Sequence, residues 1–276
     1  MGRVMLEDNN AGEAMNYFQQ ALNKKRGIYP EAEIAIGDLF KNSEYELALL
    51  HYNAALKYKS AFLIPDNIYE VFYKISNIYK VHKNYLLMQQ YLNNILNDSS
   101  FYSNKRYSHL RDSILSTYTN KGIDHLLKLY RFSEGFAIKA HSDLGWFYYK
   151  TGKNSYSILN YLFSIISIVS ESVEELRLHD PDYEFSSLSN ILNISSKIDN
   201  ISDFLEGTEF FKSLYYLACA TYAHGQKELS VNIYKIIINS NYKGKYRNLS
   251  IRQINHPWVE NYINPSPRKI QYPSTQ

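Results

Sequence analysis

Residues 141–166 read HSDLGWFYYKTGKNSYSILNYLFSII, two aromatic-rich apolar segments separated by Thr151-Gly152-Lys153-Asn154. Gly145 is followed at +3 by Tyr148, at +12 by Ser157, at +16 by Tyr161 and at +19 by Ser164. This spacing predicts two helices joined by a turn at Gly152. A small residue at Gly145 lets the second helix approach the first at short interaxial distance. Ser157 completes that contact, and Tyr161, one turn further on the same face, fills the gap toward the next pair.

The same ruler recurs along the chain, and such a period governs any reading of fold. From Ala218 it gives Thr221, Ser230, Tyr234 and Ile237, with Gly225 in the place of Gly152. From Gly2 it gives Met5, Ala14, Phe18 and Ala21. From Gly37, with a one-residue contraction in the turn, it gives Phe40, Ala48, Tyr52 and Ala55. From Ser76 the same contraction gives Tyr79, Leu87, Tyr91 and Asn94. Each helix pair has apolar faces that it cannot bury alone, so pairs are expected to stack into a continuous core.

The pattern resembles the tetratricopeptide repeat family, whose unit is a helix–turn–helix of about 34 residues. The nearest matches are AGEAMNYFQQAL from Ala11, EYELALLHYNAAL from Glu44 and DLGWFYYKTGK from Asp143. The resemblance covers roughly residues 1–97 and 134–240. It implies an all-α chain, a right-handed superhelical solenoid of antiparallel helix pairs with about five to six repeats, some of them degenerate. Ser157, Ser164 and Ser230 stand where the family usually has alanine, Leu87 is large, and most repeats lack the closing proline.

The anchors at 2, 37, 76, 145 and 218 are separated by 35, 39, 69 and 73 residues, so the last two intervals each span about twice a repeat. Helix pairs are therefore expected near 1–26, 30–58, 66–97, 102–132, 134–178 and 208–240, with an extra helix near 182–206. Pro181 disfavours helical geometry at Asp180 and should end the long helix near His179. Only Met1 precedes Gly2, where a full repeat has most of a helix. The register thus predicts a chain that begins partway through a repeat, whose upstream part could carry a signal peptide, lipid-attachment cysteine or further domain.

Composition narrows the function classes. Apolar residues make up 45% of the 276, with only 7 Pro and 11 Gly, which suits a folded core with little linker. No stretch approaches 18 consecutive apolar residues, so no membrane span is expected. The start, MGRVMLEDNNAGEA, lacks the apolar run of a signal peptide. Cys219 is the only cysteine, which excludes an intramolecular disulfide and a thiolate metal cluster. These features leave the compartment open, cytoplasmic or, if the native N-terminus lies upstream, periplasmic. Heavy use of Asn, Ile, Lys, Ser and Tyr reads as the coding bias of an AT-rich genome.

Nothing points to catalysis or to a cofactor. Glycine-rich phosphate loops, nucleophile-elbow serines and two-histidine zinc helices are all absent. The eight histidines are dispersed, and the group His179, Asp180 and Asp182 sits at a helix end before proline, where Asp caps or turns the chain. Cys219, beside a core-facing alanine, reads as a small buried hydrophobe.

The aromatics fall into two sets. Phe18, Tyr52, Tyr91, Tyr148, Tyr161 and Tyr234 lie on the packing ruler and are expected in the core. The other stripe of each first helix carries Tyr73, Asn77 and Lys80; Ser142, Trp146 and Tyr149; and Tyr215, Cys219 and Tyr222. Ile34, Asp38 and Lys41 are the equivalents in the second repeat. The resemblance implies that this stripe faces a concave groove. Either it is exposed and takes an extended or helical peptide, Trp and Tyr being favoured hot-spot residues, or the helices close and the stripe packs inside. Asn77 and Lys80 resemble part of the arrangement with which some family members grip a C-terminal carboxylate, but Tyr73 replaces a basic residue.

From Asn241 onward six basic residues face Glu260 alone, giving +5, so the preceding 240 residues carry −2 of the net +3. Such a tail could touch nucleic acid, an acidic partner or anionic lipid. Its four prolines favour a different reading: an extended strap along the acidic body, anchored by Trp258 and Tyr262, with a final solubilising helix. The expectation is a non-enzymatic interaction scaffold that binds a peptide or partner protein. The alternative is a peptide-sensing regulator whose effector module lies outside this chain. Nucleic acid is not expected as a partner, and membrane contact only through the basic tail or an upstream anchor.

Overall fold

The computed structural model describes residues 1–8, 10–97 and 105–265; the start of the helix pair expected near 102, and Pro267, Arg268, Lys269 and Pro273 of the tail, lie outside them. All regular structure among the described residues is helical. Two compact units divide the chain, Met1–Ile95 and Leu96–Pro265. The first holds α1 (Gly2–Glu7), α2 (Ala11–Lys24), α3 (Pro30–Phe40), α4 (Tyr45–Lys57), α5 (Asn67–Val81) and most of α6 (Tyr85–Asn97). The second holds α7 (Lys105–Leu129), α8 (Ile138–Lys150), α9 (Asn154–His179), α10 (Leu188–Ser195), α11 (Asp199–Gly207), α12 (Phe210–Ala223), α13 (Lys227–Asn239) and α14 (Lys245–Asn255).

The ruler has a direct steric meaning. A Cβ built on Gly2 would lie 2.6 Å from the Phe18 ring, on Gly37 2.5 Å from Tyr52, and on Gly145 2.8 Å from Tyr161. Each aromatic therefore lies flat on the backbone of the preceding helix, in space that any side chain would occupy. At +12 the serines add a hydrogen bond to this contact. The Ser157 hydroxyl donates to the Gly145 carbonyl at 2.8 Å, and Ser230 donates to that of Ala218 at 2.8 Å. Serine in place of alanine thus ties the two helices of a hairpin together and satisfies its own buried hydroxyl.

Three hairpin turns share one hydrogen-bond pattern. The Lys153 N–H donates to the Tyr148 carbonyl at 2.8 Å, Gln226 to Thr221 at 3.0 Å and Asn84 to Tyr79 at 2.8 Å. This is the six-to-one bond of a Schellman turn, which needs a left-handed residue just before it. Gly152 and Gly225 supply it with φ of 75° and 92°, whereas Lys83 adopts φ 59° with a full side chain.

The Asn84 turn corrects the register at Ser76. There is no contraction there, so +12, +16 and +19 fall on Met88, Leu92 and Ile95, which are fully buried. Leu87 and Tyr91 are only half-buried, and Tyr91 stacks on Tyr79 with ring centres 5.7 Å apart. At Gly37 the contraction is real: Ala48, Tyr52 and Ala55 are all fully buried.

In the second unit α9 is the core helix. It is buried nearly all round, as expected for a helix without a polar face. By length and composition it could cross a membrane, yet 83% of its most apolar window is covered by other parts of the protein. In α7 the helix breaks at Gly122, where φ 79° and ψ 179° are open to glycine alone, leaving segments that bury Ile114 and Tyr118 before it and Leu126 and Leu127 after it. The single extra helix expected near 182–206 is two short ones, α10 and α11; Asp124 of α7 accepts the Leu188 N–H at 2.7 Å and so caps α10. The described part of the tail begins with a helix that precedes the strap, and any final helix after the strap lies outside the described residues. Residues 245–255 are helical, burying Ser250 and Gln253, and the extended run follows them.

Candidate partner-binding faces

The stripe of α8 and α12, expected to line a groove, is largely core. Ser142, Tyr149, Tyr215 and Cys219 are buried, and only Trp146 and Tyr222 remain half-buried. Ser142, Tyr149 and Tyr215 are therefore corrected from ligand contacts to packing residues. The cause is the direct packing of α12 on α8 and α9. The Ser142 and Ser213 hydroxyls meet at 3.0 Å, and the rings of Tyr149 and Tyr216 lie 5.8 Å apart. Tyr148 and Tyr149 exchange roles: the residue on the packing ruler is half-buried and its neighbour is fully buried. Burial pushes the Cys219 thiol up to about 12, so it stays protonated and unreactive at neutral pH.

Part of this face is held by the C-terminal segment. Gln253 of α14 reaches the Tyr215 hydroxyl at 3.5 Å, and its amide brackets the backbone of Trp258, accepting the N–H at 3.1 Å and donating to the carbonyl at 3.2 Å. Beyond Trp258 the extended run crosses the end of α8. The Glu260 N–H donates to the Tyr149 hydroxyl at 3.1 Å, the Glu260 carboxylate meets Lys150 at 3.1 Å, and the Ile263 N–H donates to the Lys150 carbonyl at 2.7 Å. Tyr262 packs over Gly152, 3.4 Å from where a Cβ would stand. Gln253 was not singled out in the sequence, and Glu260 was named only as the one acid of a basic tail.

In the first unit the stripe is more open and more polar. Tyr73, Asn77 and Lys80 of α5 are half-buried. Ile34 of α3 is buried, while Asp38 and Lys41 reach the surface. Asp38 accepts the Tyr52 hydroxyl at 2.7 Å and the Lys74 ammonium at 2.8 Å, and Glu70 pairs with Lys74 at 3.1 Å. Burial opposes the charge on Lys74, but the two carboxylates outweigh it and hold its pKa above the ordinary value. Beside this network lies an open cavity of about 630 Å³ bounded by α1, α2, the start of α3 and the start of α5. Among the described residues no group of three His, Cys, Asp or Glu side chains is placed to hold a metal ion.

No family model matches the chain. It is 26% identical over 255 residues to an uncharacterized protein of Borreliella burgdorferi, a match covering 84% of this chain and 78% of that protein. An uncharacterized protein of Treponema pallidum is 25% identical over 131 residues, 46% of this chain and 35% of that protein.

Proposed function

We propose that the chain is a non-enzymatic protein-interaction scaffold of tetratricopeptide type, its hairpins forming right-handed solenoid segments that hold a peptide or partner protein on their first-helix face. The observation that carries this reading is the strap. An extended segment, Trp258–Ile263, is held against α8 by backbone hydrogen bonds, one ion pair and a ring on a glycine. Those are the contacts that would hold a foreign extended peptide, with main-chain bonds giving affinity and side-chain pockets giving register. The second unit meets this need internally. On the first unit, Tyr73, Asn77 and Lys80 form the equivalent stripe and are half-buried.

The test is affinity capture from the source organism with the intact chain and with Tyr73→Ala/Lys80→Ala, helicity being checked by circular dichroism. A partner held by the intact chain and lost by the double variant supports the scaffold. Equal recovery by both proteins, or no specific partner at all, removes the reading.

A further inference from the structure

We propose that the end of α8 is a peptide seat whose present occupant, the strap, is exchanged for an extended segment of a partner protein that carries a carboxylate between two aromatic rings; this rests on the scaffold reading and names the chemistry of its partner. An extended chain sends alternate side chains to opposite sides. In the strap, Trp258, Glu260 and Tyr262 fall on one side and Val259 and Asn261 on the other. Each of the first three has a specific place. The Trp258 ring lies 5.6 Å from the Arg252 guanidinium, the Glu260 carboxylate is 3.1 Å from the Lys150 ammonium, and the Tyr262 ring rests on the bare backbone of Gly152. Val259 and Asn261 are exposed. The seat therefore reads every second residue as aromatic, acid, aromatic, while main-chain bonds to Tyr149 and Lys150 fix the register.

The strap can leave without unfolding the unit. Its hold consists of hydrogen bonds and one ion pair, each exchanged for bonds with water on release and so contributing little net. Against them stands the conformational entropy of ordering residues 258–263. None of these residues is buried, and Tyr262 is 56% exposed, so no apolar core offsets that cost. What the strap leaves behind is selective. Lys150 pairs with Glu260, so the vacated ammonium favours a replacement that brings a carboxylate. A basic segment would be repelled, and an apolar one would leave Lys150 unpaired.

The probe is the strap's own sequence as a labelled peptide, HPWVENYIN from residues 256–264. It is titrated by fluorescence anisotropy into the full chain and into the full-length variant Glu260→Ala/Tyr262→Ala, whose strap has lost its ion pair and its ring contact. The variant is expected to bind the peptide about tenfold more tightly than the parent, since a site filled by its own strap is open only in a minor fraction of molecules. The same peptide carrying Glu260→Gln should bind about tenfold more weakly, and Lys150→Ala, placed in the variant, should abolish that difference. Equal affinity of parent and variant, or binding by neither, overturns the exchange, as does a scrambled peptide that binds as well as the ordered one. Equal binding of the Glu and Gln peptides overturns the carboxylate without any variant of Lys150 having to fold. A parent chain that dimerises with concentration in sedimentation, while the variant stays monomeric, overturns the partner in favour of a second copy of this chain. Failure of the peptide to bind with partner capture intact sinks the seat alone. Peptide binding with no captured partner sinks the scaffold reading and leaves the seat.

Discussion

Gly37 and Gly145 do the same job in the two units, but the tyrosines lying on them end differently. Tyr52, on Gly37, sends its hydroxyl to Asp38, which also holds the Lys74 ammonium at the edge of the protein. Tyr161, on Gly145, is buried near Tyr216, and its hydroxyl has no hydrogen-bond partner. One backbone device thus supports a wet, charged face in the first unit and a dry aromatic interior in the second. The dry unit is closed by its own strap. The wet unit keeps its stripe half-exposed and has an open cavity beside it. Units built from the same hairpin thus differ in how much of the first-helix stripe they enclose.

His141 gives the largest expected difference. It is buried in the second unit, stacked on Phe163 with ring centres 5.2 Å apart, and its Nδ1 lies 2.9 Å from the Asn160 side-chain oxygen. Burial pushes its pKa down to about 4, with the Asn160 hydrogen bond opposing the shift. The unfolded chain takes up this proton near pH 6.5 and the folded chain does not until about pH 4, so stability falls as pH drops through that window. The loss should be about 3 kcal/mol from this residue. In urea unfolding, the stability gap between the parent protein and His141→Gln should narrow by about that amount from pH 7 to pH 4. A gap that stays constant would show that His141 is not held neutral. His51 of the first unit meets the Glu33 carboxylate instead, at 2.6 Å, so the contrast is between an amide and an acid as partner.

The next comparison exchanges hydroxyls. Tyr52→Phe removes a hydrogen bond to an ionised carboxylate and should cost about 1–3 kcal/mol. Tyr161→Phe removes a buried hydroxyl that has no partner, and should be neutral or stabilising. Thermal unfolding of the two variants separates the cases. Equal losses would mean that the second unit is as polar as the first.

These contrasts explain how far the sequence could be read. The ruler was legible at Gly2, Gly37, Gly145 and Ala218 because a residue that must be small and one that must be large fall at fixed separation. At Ser76 it misled: Tyr91 imitates the aromatic, while Met88 and Leu92 fill the space. Tyr148 and Tyr149 differ by one position, about 100° around a helix, and only the arrival of α12 decides which is enclosed. The all-α class follows from spacing alone. The faces do not, because they depend on contacts between segments distant in sequence, such as Gln253 with Tyr215 and Glu260 with Tyr149. The serines at +12 were read as departures from a pattern, and their bonds to Gly145 and Ala218 show them to be part of it.

The smallest expected effect tests whether the units share their turn. Lys83 occupies the left-handed position that Gly152 and Gly225 fill in the second unit. A side chain there strains the backbone by about 1 kcal/mol, partly offset by the greater freedom of glycine in the unfolded chain. Lys83 is exposed and caps no network, so Lys83→Gly should raise stability by about 0.5–1 kcal/mol. Gly152→Lys and Gly225→Lys should lose a similar amount, with a further loss at Gly152, where the new side chain would crowd Tyr262 of the strap. The matched set of three denaturation curves isolates the turn from the packing. If Lys83→Gly destabilises the chain, the Asn84-to-Tyr79 bond is not the Schellman turn of the other hairpins, and the two units do not share one construction.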